Sequence, residues 1–236
     1  RARIAGTNPC TRHRLILMRQ LGGSIPVEHI RRLKLEANQR LLGDTIAISD
    51  ADWQGPSLLP GWTRAHVATH IARNADLLIR FTTAILHGEP EPHNDPVDDF
   101  RALEAGADRT GVDLQIDLDS TAGGLASLWD TVTDWHRPVH VDGRIQPLAV
   151  LPLARLHEVC LHHLDLDCGL GVDQVDPETA SWLLAWAHAH VSEQGRSVQL
   201  ESDSGQTGTI GAGLATVTVR GTDARLWAWL AGREMV

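Results

Sequence analysis

Tyrosine is absent from this 236-residue sequence and phenylalanine occurs only twice, so aromatic packing falls almost entirely to eight tryptophans. Cysteine is scarce as well. Cys10, Cys160 and Cys168 are too few for a disulfide framework and form no CxxC pair of the structural-zinc kind, so a reducing, cytoplasmic setting is expected. No run approaches the roughly 18 apolar residues of a membrane span, and no secretory pattern stands out, so the chain is expected to be soluble with no membrane partner. Positive charge is also short: 21 Lys and Arg face 30 Asp and Glu, a formal net charge of −9. Without a basic stripe beyond its first residues, the sequence does not fit a nucleic-acid partner. It holds no P-loop, no dinucleotide-binding glycine fingerprint and no nucleophile elbow. The glycines from Gly205 to Gly213 read as a turn-rich hairpin.

What is present is an ordinary globular balance, 42% apolar and 22% charged, on a length that suits one large domain or two small ones. Thirteen histidines direct attention to metal. Residues 1–25 carry Arg1, Arg3, Arg12, Arg14 and Arg19 without periodicity and are expected to form a poorly ordered arm outside the fold. From Val27, Ile30, Leu33, Ala37 and Leu41 recur at helical spacing. Ser49-Asp50-Ala51-Asp52 reads as a cap and short turn, and Thr63 as the N-cap of a long helix ended by Gly88. A third helix is expected over 97–109 and a fourth from about 118 to Trp135, its stripe being Leu125, Leu128, Trp129, Val132 and Trp135. Asp142-Gly143 marks a tight hairpin. A fifth helix starts after Pro152 and ends near Cys168-Gly169. Beyond it, Asp176-Pro177 starts another helix, 197–200 and 215–219 alternate as strands, and a last helix follows Thr222-Asp223. The pattern is mainly α: a helical bundle over 26–170 followed by a small α+β domain over 171–236.

The stretch from Arg155 to Leu166 concentrates the chemistry. At about 100° per residue, Arg155, Glu158, His162 and Asp165 fall within an arc of roughly 80°. His157 and His162 imitate the metalloprotease HExxH motif but are one residue too far apart, diverging by about 140°, so they do not share an ion. Glu158 and His162, at i and i+4, do have chelating spacing. A third ligand must come from elsewhere. The helix after Thr63 offers two, His66 and His70, with His70 bordering the apolar stripe that also carries Asn74. Cys160 faces away from Glu158 and reads as core. Arg155 and Asp165 read either as supports of the ligands or as a surface ion pair. Arg233 reads either as an anion contact or as a helix-end arginine that satisfies carbonyls.

Four segments together, Ser49-Asp50-Ala51-Asp52, Leu59-Pro60-Gly61-Trp62-Thr63-Arg64, Thr69-His70-Ile71-Ala72-Arg73-Asn74-Ala75-Asp76 and Arg155 to Leu166, resemble signatures of the mycothiol-dependent maleylpyruvate isomerase family, a branch of the DinB-like metalloenzymes. Trp229-Leu230-Ala231-Gly232-Arg233 is similar to the end of that family's C-terminal domain. The resemblance implies a DinB-like four-helix bundle that binds a divalent metal, usually zinc, through His70, Glu158 and His162. It also implies mycothiol as the thiol cofactor, with Asn74 and Arg155 near it. Arg233 is the corresponding candidate for substrate carboxylates. The implied reaction is cis–trans isomerisation: a metal-held thiolate adds to an activated cis double bond of a small enedioate, rotation follows, and elimination releases the trans product. The same site suits a thiol S-transferase acting on electrophiles, or a non-catalytic metal- or thiol-binding protein.

Overall fold

The structure, a computed structural model, describes residues 25–90, 92, 96–141, 144–191, 197–211, 214–215 and 217–234. The expected N-terminal arm up to residue 24 and the Asp142-Gly143 turn lie outside the described residues. The chain separates into two compact units, one spanning Val27–Gly171 and the other built on Val172–Val236.

The first unit holds α1 (Val27–Thr45), a short α2 (Asp50–Trp53), α3 (Arg64–His87), α4 (Pro96–Ala107), α5 (Gly111–Asp130), a hairpin of β1 (Pro138–Val141) and β2 (Arg144–Pro147), and α6 (Val150–Asp165). Helices α1, α5, α3 and α6 form a closed ring in which each packs against two neighbours, and α4 lies against α3. Close packing is possible because α3 turns a row of alanines inward. Ala65, Ala68, Ala72 and Ala75 are each no more than 1% exposed, and their small side chains let the flanking helices approach. Helix α4 also approaches closely at Gly106, where a Cβ would overlap the Thr69 side chain of α3. Leu41, Trp53, Val67, Ile71, Leu114 and Val159 fill the centre.

Local chemistry sets the boundaries. Thr63 Oγ1 accepts from the His66 backbone N–H at 3.3 Å while His66 Nδ1 accepts from the Thr63 N–H at 3.3 Å, a capping box at the start of α3. Gly88 ends that helix in the left-handed region, φ 69°. Helix α5 starts at Gly111 instead of near 118, because Thr110 caps it by accepting from Asp113 N–H at 3.2 Å. It stops at Asp130, so Trp135 lies beyond it, although its ring still meets Trp129 edge-on at 6.1 Å. Helix α6 begins at Val150 and accommodates Pro152 in its first turn, where the missing N–H has no intrahelical partner to lose.

The second unit comprises a short 3₁₀ turn, Val172–Gln174, then α7 (Pro177–His190), β3 (Val198–Ser202), β4 (Thr207–Ile210), β5 (Val217–Gly221) and α8 (Asp223–Leu230). Asp176 caps α7 by accepting from the Glu178 and Thr179 N–H groups, each at 3.0 Å. Strand β4 lies within the glycine-rich segment and pairs antiparallel with β3, while β5 pairs parallel with β3 on its other edge, giving the order β4-β3-β5. Helices α7 and α8 pack together. Among the described residues no helix is long and apolar enough to cross a membrane.

Candidate metal centre

Helix α3 presents His70, and α6 presents Glu158 and His162 one turn apart. Glu158 Oε2 stands 3.4 Å from His70 Nε2 and 3.5 Å from His162 Nε2, and one ligand atom from each residue falls within 4.8 Å of the others. The imidazole rings meet edge-on with centroids 4.5 Å apart. Ligand atoms at about 2.1 Å from a tetrahedral ion are separated by about 3.4 Å, so these spacings are of coordinating size. The competing histidines are committed elsewhere. His66 serves the capping box and its Nε2 is 3.4 Å from Glu104, and His157 is not part of the cluster. His163 turns away toward α1, its Nε2 3.1 Å from Asp44, and burial pushes its pKa down to about 4 despite that carboxylate.

The residues behind the cluster fix its electrostatics. Asp165 is 0% exposed and accepts a hydrogen bond from His162 Nδ1–H at 2.9 Å, which makes Nε2 the nitrogen that faces Glu158. Burial pulls the His162 pKa down, but hydrogen bonds to Asp165 and Glu158 outweigh it and the net shift is upward. Burial likewise pushes the Glu158 carboxyl up, yet hydrogen bonds from His162 and His70 hold it far below the usual carboxylate range. The site is therefore a ready anion flanked by two imidazoles.

Arg155 is 1% exposed, and its Nη1 donates to the Ile71 carbonyl at 2.7 Å and to Asn74 Oδ1 at 2.8 Å. Neither Arg155 nor Asp165 is a surface residue, which removes the surface-ion-pair reading. Arg155 ties α6 to α3 in the turn after His70; of the pair expected near the cofactor, Asn74 lines the adjoining cavity. Cys160 is buried, and burial pushes its thiol up to about 12, so it stays protonated and unreactive. In the second unit, Arg233 Nη1 donates to the Ala231 carbonyl at 2.7 Å, the helix-end contact named as one of its two readings.

A cavity of about 810 Å³ lies between α3 and α4 and reaches His70. Trp62 forms part of its wall, its ring 5.6 Å from that of His70 and edge-on to it. The loop carrying Trp62 is fastened at several points: Ser57 N and Oγ both donate to the Trp62 carbonyl at 2.9 Å, and Arg64 Nε donates to the Leu166 carbonyl at 2.7 Å. Sequence reasoning gave neither Trp62 nor α4 a place at the site. The only pointer was the Leu59-Pro60-Gly61-Trp62 turn, in which Gly61 takes φ 81°.

A helical bundle with a His, Glu, His cluster between two of its helices is of the DinB-like class. Residues 35–167, over half the chain, match the family described as the mycothiol maleylpyruvate isomerase N-terminal domain; the chain belongs to that family. Two solved structures share its fold. A crystal structure of the mycothiol-dependent maleylpyruvate isomerase superposes with a TM-score of 0.79 at 23% identity, covering 88% of this chain and 90% of that one. A histidine-to-alanine mutant of the mycothiol-dependent maleylpyruvate isomerase gives 0.78 at 22% identity with the same coverage. No curated protein matches the chain at a significant level.

Proposed function

We propose that this protein is a metal- and mycothiol-dependent cis–trans isomerase of the maleylpyruvate isomerase type. The observation that carries the proposal is the convergence of His70, Glu158 and His162 within 4.8 Å at the edge of a cavity. Two imidazoles and one carboxylate form a donor set suited to zinc. When bound, the metal supplies an open coordination position that keeps a small thiol in its nucleophilic, deprotonated form. The chain's own residues prepare that position. Asp165 fixes His162 through Nδ1, so that Nε2 is the nitrogen offered to the metal. Glu158 is ionised at neutral pH. Arg155 keeps the His70 turn in register with Glu158 through Ile71 and Asn74, and Trp62 walls one side of the cavity. Arg233 enters the proposal as a contact for substrate carboxylates on the strength of the family resemblance.

Metal analysis of the purified chain is the first test, with one divalent ion expected per chain. His70→Ala is expected to lose that ion and His66→Ala to keep it; the reverse result rejects the ligand set. The loaded protein is then incubated with mycothiol and maleylpyruvate while fumarylpyruvate is followed. Absence of turnover together with conjugation of a model electrophile rejects the isomerase reading in favour of S-transfer. That second reading is supported by the size of the cavity beside His70.

A further inference from the structure

The cavity is larger than a small enedioate fills, and its lining has no surplus of positive charge. Its volume of about 810 Å³ lies within the range of about 300–1,000 Å³ that encloses drug-sized ligands. Recognition of a dianion calls for a surplus of cationic donors, but the charged lining balances, with Arg73 and Arg80 set against Asp76 and Asp99. Arg73 is moreover engaged by Asp117 at 2.8 Å and by Asp76 at 3.1 Å. The rest of the wall is largely apolar: Trp62, Leu77, Ile79, Phe100 and Leu103. Phe100 is 61% exposed, so this large aromatic face borders the cavity without serving the core. Because the cavity reaches His70, a molecule seated in it lies beside the ligand cluster.

We propose that the cavity between α3 and α4 is a subsite for the apolar or aromatic body of an electrophile, so that thiol transfer to aromatic electrophiles is a further activity of the site beside the isomerisation. This proposal rests on the thiol-dependent reading above and names a substrate class for it. For chlorodinitrobenzene the step balances: the thiolate sulfur forms a C–S bond at the chlorine-bearing carbon, the C–Cl bond breaks, and chloride leaves with the bonding pair. The thiol proton has already passed to solvent. Trp62 and Phe100 supply faces on which the ring stacks.

The test measures binding of meta-dinitrobenzene, which has no leaving group, to the metal-free full-length chain by equilibrium dialysis. Saturable binding to one site is expected, weakened about fivefold or more by Phe100→Ala, which removes a stacking face, and by Ala102→Trp, which fills the cavity. Circular dichroism and the thermal midpoint report whether each variant folds as the wild type does. Absence of saturable binding to the wild type, or unchanged dissociation constants in both folded variants, overturns the subsite. Since no metal is present, failure of the isomerase assay leaves this measurement standing. In the metal- and mycothiol-loaded enzyme, KM for chlorodinitrobenzene is expected to rise by a similar factor in both variants, and a KM that does not move in either overturns the proposal.

Discussion

Replacing Asp165 by Asn tests how the protein prepares His162. The carboxylate is fully buried and accepts from His162 Nδ1–H at 2.9 Å, so Nε2 is the nitrogen left to bind a metal. An asparagine of the same shape can instead donate from its amide to Nδ1, which moves the ring proton to Nε2, the atom the metal needs. A buried charge-assisted hydrogen bond contributes about 1.5–3 kcal/mol, and about 1.4 kcal/mol is a factor of ten in affinity. Asp165→Asn should therefore weaken metal binding about 10- to 100-fold, in line with other residues that orient ligands. Competition with a chromophoric chelator at neutral pH measures this, and the thermal midpoint of the metal-free variant reports on the fold. An affinity within about twofold of wild type, in a variant that folds normally, would refute the claim that Asp165 sets the tautomer.

Lys34, 3% exposed and 5.6 Å over the Trp129 ring, has its pKa lowered from 10.5 to about 8 by burial and by the neighbouring Arg155 and Arg31. The unfolded chain binds this proton more tightly, so stability should rise with pH between about 8 and 10.5, and Lys34→Met should flatten that rise in denaturant titrations. The shift corresponds to on the order of 3 kcal/mol, partly offset by the lost cation–π contact of about 1–2 kcal/mol, so Lys34→Met should stabilise the metal-free protein by on the order of 1–2 kcal/mol at neutral pH. Gly106→Ala forces a methyl into the Thr69 side chain and should destabilise the bundle by about 1–3 kcal/mol in chemical denaturation. A neutral or stabilising result would mean that α4 is free to move off α3. Cys160, its thiol pushed up to about 12 by burial, should resist alkylation in the native protein and react promptly in denaturant, as read by mass spectrometry.

The elements most legible in the sequence were those whose cues are local. Thr63, Asp176 and Thr222 are N-caps because their side chains reach N–H groups two or three residues on, and the spacing of Glu158 and His162 is a property of any helix. The start of helix α5 is hidden in the sequence because Val112 and Ile116 point outward, 64% and 60% exposed, and blur the period over its first two turns. Its far end is hidden as well, because Trp135 continues the stripe in number although Thr131 ends the helix. Spacing left His66 and His70 undecided. The tie between Thr63 and His66 separates them, and it depends on which atom His66 offers to the helix start. Arg155 was legible as part of a polar arc, but its acceptors, the Ile71 carbonyl and Asn74, are supplied by another helix and appear only on packing. The wall formed by α4 has no local signature at all.

The short segment between α2 and α3, with the first residue of α3, is tied to the end of α6: Leu58 N–H reaches the Asp165 carbonyl at 2.9 Å and Arg64 reaches Leu166. Asp165 thus grips the site with its side chain and the Trp62 loop with its backbone. For protein engineering, the two stretches form one exchangeable cassette. Grafting a relative's 54–64 segment to alter ligand preference, while leaving 165–167 native, would disturb His162 as well, and a functional chimera should carry both segments from the same parent.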